Sequence, residues 1–383
     1  MHPSLPTTAS SISVSTAPDE SDLVRLLTPD GVRVDHPDAA WSGSDADLLA
    51  LHRDMVLTRR IDTEGYALQR HGELGLWPPS LGQEAVQVGT ARALRPRDMA
   101  FPTYRDHGVI WVRGVPPERL LGLYRGSEMG GWNPDEHRVA LPTIIIGAQC
   151  LHACGYAMGI VMDEAVGHSD GERDEAVTVY LGDGATSQGD TLEALSWAAS
   201  FTLPVVFVIE NNQYAISTPT NRPGAVPLVR RADGFGIPGV RVDGNDVLAC
   251  QAVMETALQR ARDGRGPTLI EAVTFRRGAH TTSDDPTRYR EASEEEYWEA
   301  RDPIARVRAL LDSTGSHAEA LAALDAEADA LGERLRAACR AVPDPDLADM
   351  FDRMYVEPTP ELREQREAVL AWRALGDEEA VTA

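Results

Sequence analysis

The sequence predicts an α/β protein with a doubly wound, mainly parallel sheet, helices on both faces and a helical C-terminal region. Three runs of residues support this fold class: 176–181, 204–209 and 267–273 are apolar, β-prone and without polar alternation. Strands of this kind are buried on both faces, which is typical of parallel sheets covered by helices. The segments between the runs are long enough for crossover helices, and we expect right-handed crossovers.

Helices are expected before the first of these strands in the sequence and between the strands. Apolar side chains such as Leu48, Met55 and Ile61 recur near helical spacing in residues 45–70, which predicts a long amphipathic helix. Residues 190–201 are expected to form the helix after the first buried strand. Asp190 and Glu193 resemble a capping box at its start.

The C-terminal part is predicted to be helical. Residues 294–311 and 318–342 are rich in Ala, Leu, Glu and Arg, all of which favour helix. The prolines at 343 and 345 interrupt this pattern, and a final helix is expected at about 360–374. No repeat of fixed period occurs, which argues against a solenoid or propeller.

We expect three regions along the 383 residues. Residues 1–21 are rich in Ser, Thr, Pro and Ala and are expected to form a flexible N-terminal arm, because they offer too few large apolar groups to offset the entropy of ordering. Residues 22–315 are expected to form the α/β domain, and residues 316–383 the helical C-terminal region.

The charge of the chain excludes several classes of function. A formal net charge of −24 makes nucleic acid and membrane surfaces unsuitable partners, because both are anionic. All 36 basic residues are arginine. The absence of lysine excludes pyridoxal-phosphate enzymes that need a Schiff-base lysine, and nucleotide-binding P-loops.

The four cysteines do not form a C-x-x-C motif, so neither a zinc site nor a redox motif is expected. Cys150 and Cys154 are predicted to lie on one helix face as small apolar residues. The N-terminus lacks the basic and apolar regions of a signal peptide, and no run approaches the ~18 apolar residues of a membrane span. We therefore predict a cytoplasmic protein.

The most informative stretch is Gly-Asp-Gly-Ala-Thr-Ser-Gln-Gly-Asp at 182–190, between a buried strand and a helix. Ligands of open α/β sheets bind beyond the carboxyl ends of the strands, where this loop lies. The next strand ends in Asn211, Asn212, Gln213 and Tyr214, at the same edge. Asp183 and the amide and carbonyl oxygens of the second loop could together hold a hard cation such as Mg²⁺.

Two other interpretations of this loop are available. A Gly-Asp-Gly tripeptide alone is also compatible with a simple tight turn. A Rossmann motif fits poorly, because Gly184 is followed by Gly189 rather than by a glycine at 187. Asp183 would also repel a pyrophosphate unless a cation lay between them.

The run from Gly182 to Pro219 resembles the thiamine-diphosphate motif of the alpha subunits of pyruvate and branched-chain 2-oxoacid dehydrogenases. Three further stretches resemble the same family in the same order: Pro-Thr-Tyr-Arg-Asp-His at 102–107, Arg-Val-Asp-Gly-Asn-Asp at 241–246 and His-Thr-Thr-Ser-Asp-Asp at 280–285. The resemblance covers about residues 45–372. It implies the thiamine-diphosphate-binding fold.

The resemblance also implies roles for individual residues. The side chains of Asp183 and Asn212 and the main-chain oxygen of Tyr214 would hold Mg²⁺. The cofactor, thiamine diphosphate, would contact these metal ligands and also Tyr104, Arg105, Gly182, Gly184 and Ala185. Ile144 and Ile146 would lie against its aminopyrimidine ring. His280 would be the catalytic histidine of this chain, next to the diphosphate.

The implied activity is oxidative decarboxylation of a small 2-oxoacid, with transfer of the acyl group to a lipoyl group, and branched-chain 2-oxoacids are favoured over pyruvate. Only one Gly-Asp-Gly module is present, so the resemblance implies a beta subunit that supplies the other half of the site in an α2β2 heterotetramer. A lipoyl acyltransferase would be the next partner. Two alternatives are an acetoin dehydrogenase alpha subunit and a catalytically silent assembly subunit.

Overall fold

The structure is a computed structural model that describes residues 20, 22–127, 131–168, 172–220, 226–315 and 317–382. Of the N-terminal arm expected at residues 1–21, all but Glu20 lies outside the described residues. The division of the chain at residue 315 stays a prediction.

A five-stranded parallel sheet forms the centre of the molecule, with strand order β1-β2-β3-β7-β6. A short antiparallel pair, β4 and β5, lies apart from it. The strands are β1 (Met99–Phe101), β2 (Val177–Gly182), β3 (Val205–Asn211), β4 (Tyr214–Ala215), β5 (Thr218–Pro219), β6 (Gly239–Asp243) and β7 (Thr268–Val273). Since all five central strands are parallel, their carboxyl ends meet at one edge.

Helices surround the sheet and continue to the C-terminus. Those among the described residues are α1 (Asp45–Arg70), α2 (Glu84–Arg92), α3 (His107–Val112), α4 (Glu118–Arg125), α5 (Pro134–His137), α6 (Ala148–Met162), α7 (Gly189–Ser200), α8 (Val247–Arg262), α9 (Ala292–Glu299), α10 (Pro303–Thr314), α11 (Ala318–Ala341), α12 (Asp349–Asp352) and α13 (Pro360–Thr382). None of them is long and apolar enough to cross a membrane.

Alternate residues of the central strands face two separate apolar layers. On β3, Val206 and Val208 join the core that contains α1, α2, α8 and α11. Val205, Phe207 and Ile209 point the other way, into the core that contains α6 and α7. Burial on both faces explains why these strands lack polar alternation, and it confirms the predicted fold class.

The four cysteines are buried and form no disulfide. Cys150 and Cys154 lie on α6 in the layer beneath α7, where burial raises the pKa of both thiols to about 12. The prediction that they are small apolar residues of one helix face is confirmed.

The predicted helix at 45–70 and the three predicted strands are confirmed, with boundaries within two residues. Strands β1, β4, β5 and β6 were not predicted. The capping box at Asp190 and Glu193 is wrong: α7 begins at Gly189 after the extended residue Gln188, and Asp190 lies inside its first turn. A 3-10 turn at Asp183–Ser187 occupies the connection between β2 and α7. Helix α7 therefore begins at Gly189, before Asp190.

Candidate active site

A cavity opens at the carboxyl edge of the sheet, between the segments that follow β1, β2, β3 and β7. It brings together ten of the eleven residues that the sequence singled out: Tyr104, Arg105, Ile146, Gly182, Asp183, Gly184, Ala185, Asn212, Tyr214 and His280. Ile144 does not line this cavity.

Asp183 is one of the carboxyl groups that line the cavity. It directly follows β2, is only 4% exposed, and accepts a short hydrogen bond from the Thr220 hydroxyl. Burial raises the pKa of the Asp183 carboxyl above its usual value. The loop is tightly packed, because a Cβ at Gly184 would lie 2.8 Å from the Cβ of Ala215. A buried carboxylate that lines a cavity is suited to a cation.

The loop after β3 adds two neutral oxygens. The Nδ2 of Asn212 donates to Oε1 of Gln83 at 3.0 Å, and the main-chain oxygen of Tyr214 accepts from Arg276 at 3.0 Å. Gln213 and Ile216 both have left-handed backbones, with φ of 73° and 57°. For a β-branched residue such as Ile216 this conformation is strained, and strain of this kind concentrates at functional sites.

Asp183, Asn212 and Tyr214 together offer one carboxylate, one amide oxygen and one main-chain oxygen. Among the described residues no group of three His, Cys, Asp or Glu side chains could hold a metal ion. An oxygen set with a single carboxylate fits Mg²⁺, which completes its coordination with water and the phosphates of a ligand. The residues present therefore fit a magnesium diphosphate.

Arg105 supplies a buried positive charge to the cavity lining. Its NH1 donates to the Pro79 carbonyl at 2.6 Å, and its NH2 donates to the His280 carbonyl at 2.8 Å. The side chain also lies over the Tyr104 ring, 5.5 Å from its centroid. These contacts fix the guanidinium at the cavity wall.

Arg276, in the segment after β7, supplies a second buried charge. It donates to the carbonyls of Tyr214 and Ile216 and to the Tyr289 hydroxyl. Burial, together with the nearby Arg105, lowers the pKa of Arg276.

Neither Arg105 nor Arg276 forms an ion pair with a carboxylate among the residues that the structure describes. Other buried arginines do: Arg262 pairs with Asp98, and Arg306 lies 3.0 Å from Asp243. A buried cation without a carboxylate in direct contact is costly. Two of them on one cavity indicate a binding site for a ligand with more than one negative charge.

His280 lies between the two arginines. Its Nδ1 is 3.2 Å from NH2 of Arg105 and 3.4 Å from NH1 of Arg276. Guanidinium groups only donate, so Nδ1 must be the acceptor and Nε2 must hold the ring hydrogen. Burial and the two cations lower the pKa of His280 to about 4. The imidazole is therefore neutral at pH 7 and has an N–H to donate.

A carboxyl pair, Asp106 and Glu210, also lines the cavity. Both are nearly inaccessible, and Gln87 donates to Glu210 at 3.2 Å. Burial and the neighbouring Asp106 raise the pKa of Glu210 well above its usual value. We infer that the pair shares a proton at neutral pH, because two buried carboxylates side by side cannot both ionise.

The mouth of the cavity is apolar. Ile145 is 70% exposed and Ile146 is 40% exposed, and both line the cavity, whereas Ile144 is 67% exposed outside it. Large apolar side chains exposed at a cavity rim indicate a surface that another molecule covers.

Sequence reasoning did not single out Gln83, Glu210 or Arg276 as site residues. Arg276 and Glu210 carried a usable signal, because each lies at or just beyond the carboxyl end of a buried strand. Gln83 had none: it precedes α2, far along the chain from the strand–loop segments that it meets.

The chain is similar to known proteins over most of its length. The family model described as dehydrogenase E1 component matches residues 52–342. A 3-methyl-2-oxobutanoate dehydrogenase subunit alpha of Mycobacterium tuberculosis is 46% identical over 357 residues, which cover 92% of this chain and 95% of that protein. A pyruvate dehydrogenase E1 component subunit alpha of Bacillus subtilis is 40% identical over 328 residues, covering 85% and 86%.

Proposed function

Because the chain belongs to the dehydrogenase E1 component family, we propose that it is the alpha subunit of a thiamine-diphosphate-dependent 2-oxoacid dehydrogenase. It would decarboxylate a 2-oxoacid oxidatively and pass the acyl group to a lipoyl domain. The observation that carries this proposal is the pair of buried arginines without carboxylate partners, Arg105 and Arg276, in the same cavity as Asp183. A magnesium diphosphate would satisfy all three charges.

Each residue would have a defined task toward the cofactor. Asp183, Asn212 and the main-chain oxygen of Tyr214 would hold Mg²⁺, and Arg105 and Tyr104 would hold the diphosphate. Gly182, Gly184 and Ala185 would let it approach the main chain closely. Thiamine diphosphate, when bound, supplies the electron sink that decarboxylation of a 2-oxoacid requires.

His280 would act as a hydrogen-bond donor through Nε2. Its neutral state at pH 7 lets it donate to an oxyanion without carrying a charge of its own. The two arginines hold the ring from the Nδ1 side and so fix its orientation. On these grounds we propose His280 as the catalytic residue of the chain.

The apolar rim and the single Gly-Asp-Gly module support a partner chain. We infer that a beta subunit covers Ile145 and Ile146 and completes the site in an α2β2 heterotetramer, with a lipoyl acyltransferase as the next component. The Ile144 side chain lies outside the cavity. Ile144 would therefore contact the cofactor ring through its main-chain atoms, and its side chain would contact the partner. A cytoplasmic location stays a prediction.

Branched-chain 2-oxoacids are the preferred substrate class. The greater identity to the 3-methyl-2-oxobutanoate dehydrogenase subunit than to the pyruvate dehydrogenase subunit supports this choice. Acetoin cleavage and a silent assembly function are the alternatives.

The test is turnover by the chain assembled with the beta subunit proposed above, with Mg²⁺ and thiamine diphosphate. Acylation of a lipoyl domain is measured with 3-methyl-2-oxobutanoate, pyruvate and acetoin in parallel. We expect the branched substrate to give the highest kcat/KM. Turnover of acetoin alone would favour the acetoin enzyme, and no turnover by a complex that binds the cofactor would favour the assembly function.

A further inference from the structure

Gln83 is a fully buried side chain of the cavity wall that the roles above leave unused. It is 0% exposed, and it lines the cavity together with Arg105, Asn212 and His280. Its Oε1 has a partner in Asn212, whereas its Nε2 is buried with no hydrogen-bond partner among the described residues. An unpartnered buried donor is costly unless a bound molecule satisfies it.

The orientation of the Gln83 amide follows from its neighbours. The main-chain N–H of Tyr214 lies 3.4 Å from Oδ1 of Asn212 and can only donate, so this atom must be the oxygen. The Asn212 nitrogen is therefore the atom that faces Gln83, at 3.0 Å, and Gln83 must present its oxygen in return. The Gln83 nitrogen is consequently the atom left without a protein partner.

Hydrogen bonds hold the main chain just before Gln83 in place, so the position from which its side chain extends is fixed. Asp62 of α1 accepts from the main-chain N–H groups of Ser80 and Leu81 at 2.9 and 3.1 Å. Thr274 donates to the Gly82 carbonyl at 2.9 Å. Gly82 itself has φ of +96°, and a Cβ there would lie 2.3 Å from the Phe275 oxygen. This packing leaves no room for the turn to shift.

The surroundings define the acceptor that Gln83 would meet. The cavity lining also contains the guanidinium of Arg105, which has no carboxylate partner among the described residues, and the Nε2–H of His280, so three donors serve one cavity. Convergent donors of this kind suit an oxyanion with several acceptor oxygens. The neighbour of Gln83 is Asn212, the residue assigned to the cation that a diphosphate would share.

We propose that Gln83 binds the cofactor: its Nε2 donates to a diphosphate oxygen, while its Oε1 keeps the Asn212 oxygen turned toward the cation. This inference rests on the proposed function. It adds a phosphate contact from the segment before α2, far in sequence from the strand–loop segments that supply the others.

Two substitutions distinguish the role of the Gln83 amide oxygen from that of its amide nitrogen. Gln83→Glu keeps an acceptor for Asn212 but places a carboxylate oxygen where the NH2 group was. Gln83→Met has a similar shape and removes both hydrogen bonds. Calorimetry on the assembled complex, at saturating Mg²⁺ and pH 8, measures the Kd of thiamine diphosphate and of inorganic pyrophosphate.

We expect both variants to raise both Kd values together, by about tenfold to hundredfold, which is the usual effect of losing a hydrogen bond to a charged group. Gln251→Met on α8 is the matched control, since it removes an acceptor from the Trp41 indole (2.9 Å) outside the cavity. It should leave both Kd values unchanged, and the unliganded variants should melt within a few degrees of one another.

Unchanged affinities in Gln83→Glu would overturn the inference, and so would a loss confined to thiamine diphosphate, because that pattern means a contact to the thiamine ring. If Gln83→Met fails to assemble, Gln83→Glu still decides. A wild-type complex that binds neither ligand would instead overturn the proposed function.

Discussion

The guanidinium of Arg105 lies 3.2 Å from the Nδ1 of His280 and also donates to the His280 carbonyl. This double contact fixes both the position and the tautomer of the imidazole. It places a permanent positive charge beside a group that could otherwise become positive, so the histidine remains neutral.

The titration of His280 should reflect that arrangement. We expect its imidazole to titrate near pH 4, against the ordinary value of 6.5. As the pH falls from about 6.5 to about 4, the unfolded chain takes up this proton before the folded chain does, so the contribution of His280 to the free energy of unfolding decreases across that window. NMR titration, with the signal assigned by a His280→Gln variant, measures the pKa.

The same variant tests the effect on stability. Urea unfolding at pH 7 and pH 5 should show a smaller acid-induced loss in His280→Gln than in the wild type. An equal loss in the two proteins would mean that His280 is not held neutral by its surroundings.

Replacing Arg105 should release His280. We expect Arg105→Met to raise the pKa of His280 toward its ordinary value, because one of the two nearby cations is removed. The affinity of the assembled complex for thiamine diphosphate should fall by about a hundredfold, since charge-assisted bonds to the diphosphate are lost. Calorimetry and the NMR titration measure the two effects independently. Loss of affinity without a change in pKa would contradict the contact described above.

Asp183 should show opposite effects on binding and on stability. In the unliganded protein, burial raises the pKa of the Asp183 carboxyl. This direction indicates that burying the charged form has a net cost. Asp183→Asn keeps an acceptor for Thr220 and removes the charge. We expect unliganded stability to stay equal or to rise by about 1 kcal/mol, while Mg²⁺-dependent cofactor binding and turnover disappear.

Asp98→Asn provides the comparison for Asp183. This substitution leaves the buried Arg262 without its carboxylate, and it should cost about 3 kcal/mol of unfolding free energy. Chemical denaturation of both variants decides. An equally large loss in Asp183→Asn would show that Asp183 is a structural carboxylate.

Gly82 should tolerate no side chain. Its φ of +96° is unfavourable for any other residue, and a Cβ would lie 2.3 Å from the Phe275 oxygen. We expect Gly82→Ala to cost about 3 kcal/mol or more of unfolding free energy. The matched control is Gly126→Ala after α4, where φ is +79° and no atom lies within 4 Å of the added group. This change should cost only about 1–2 kcal/mol. Thermal melting compares the two, and similar losses would mean that the contact with Phe275 relaxes easily.

Local patterns were sufficient to predict the elements with strong sequence signals. The periodicity around Leu48 and Ile61 was sufficient to predict α1, and the structure shows in addition that Ser44 caps its start. The uninterrupted run at 204–209 gave β3, which is buried on both faces. The edge that Asp183 and Asn212 share followed from parallel pairing alone.

Elements decided by tertiary contacts were not predictable in this way. Strand β1 is three residues long and forms by pairing with β2, so its sequence contains no sufficient periodicity. The start of α7 depends on the 3-10 turn before it, whose Ala185 oxygen accepts from the Thr191 hydroxyl at 2.9 Å. Gln83 is positioned at the cavity by the contacts of its turn with Asp62 of α1 and with Thr274. No pattern within a short window encodes such distant anchoring.

The four cysteines, Cys150, Cys154, Cys250 and Cys339, are all buried. The chain is therefore well suited to site-directed labelling through an added cysteine. Maleimides and iodoacetamides reach thiolates at the surface, and these four thiols are neither accessible nor readily ionised. A single cysteine introduced at the exposed Ile145 would therefore be the thiol that a fluorophore or nitroxide labels. Such a probe would report the arrival of a covering chain at the rim in real time.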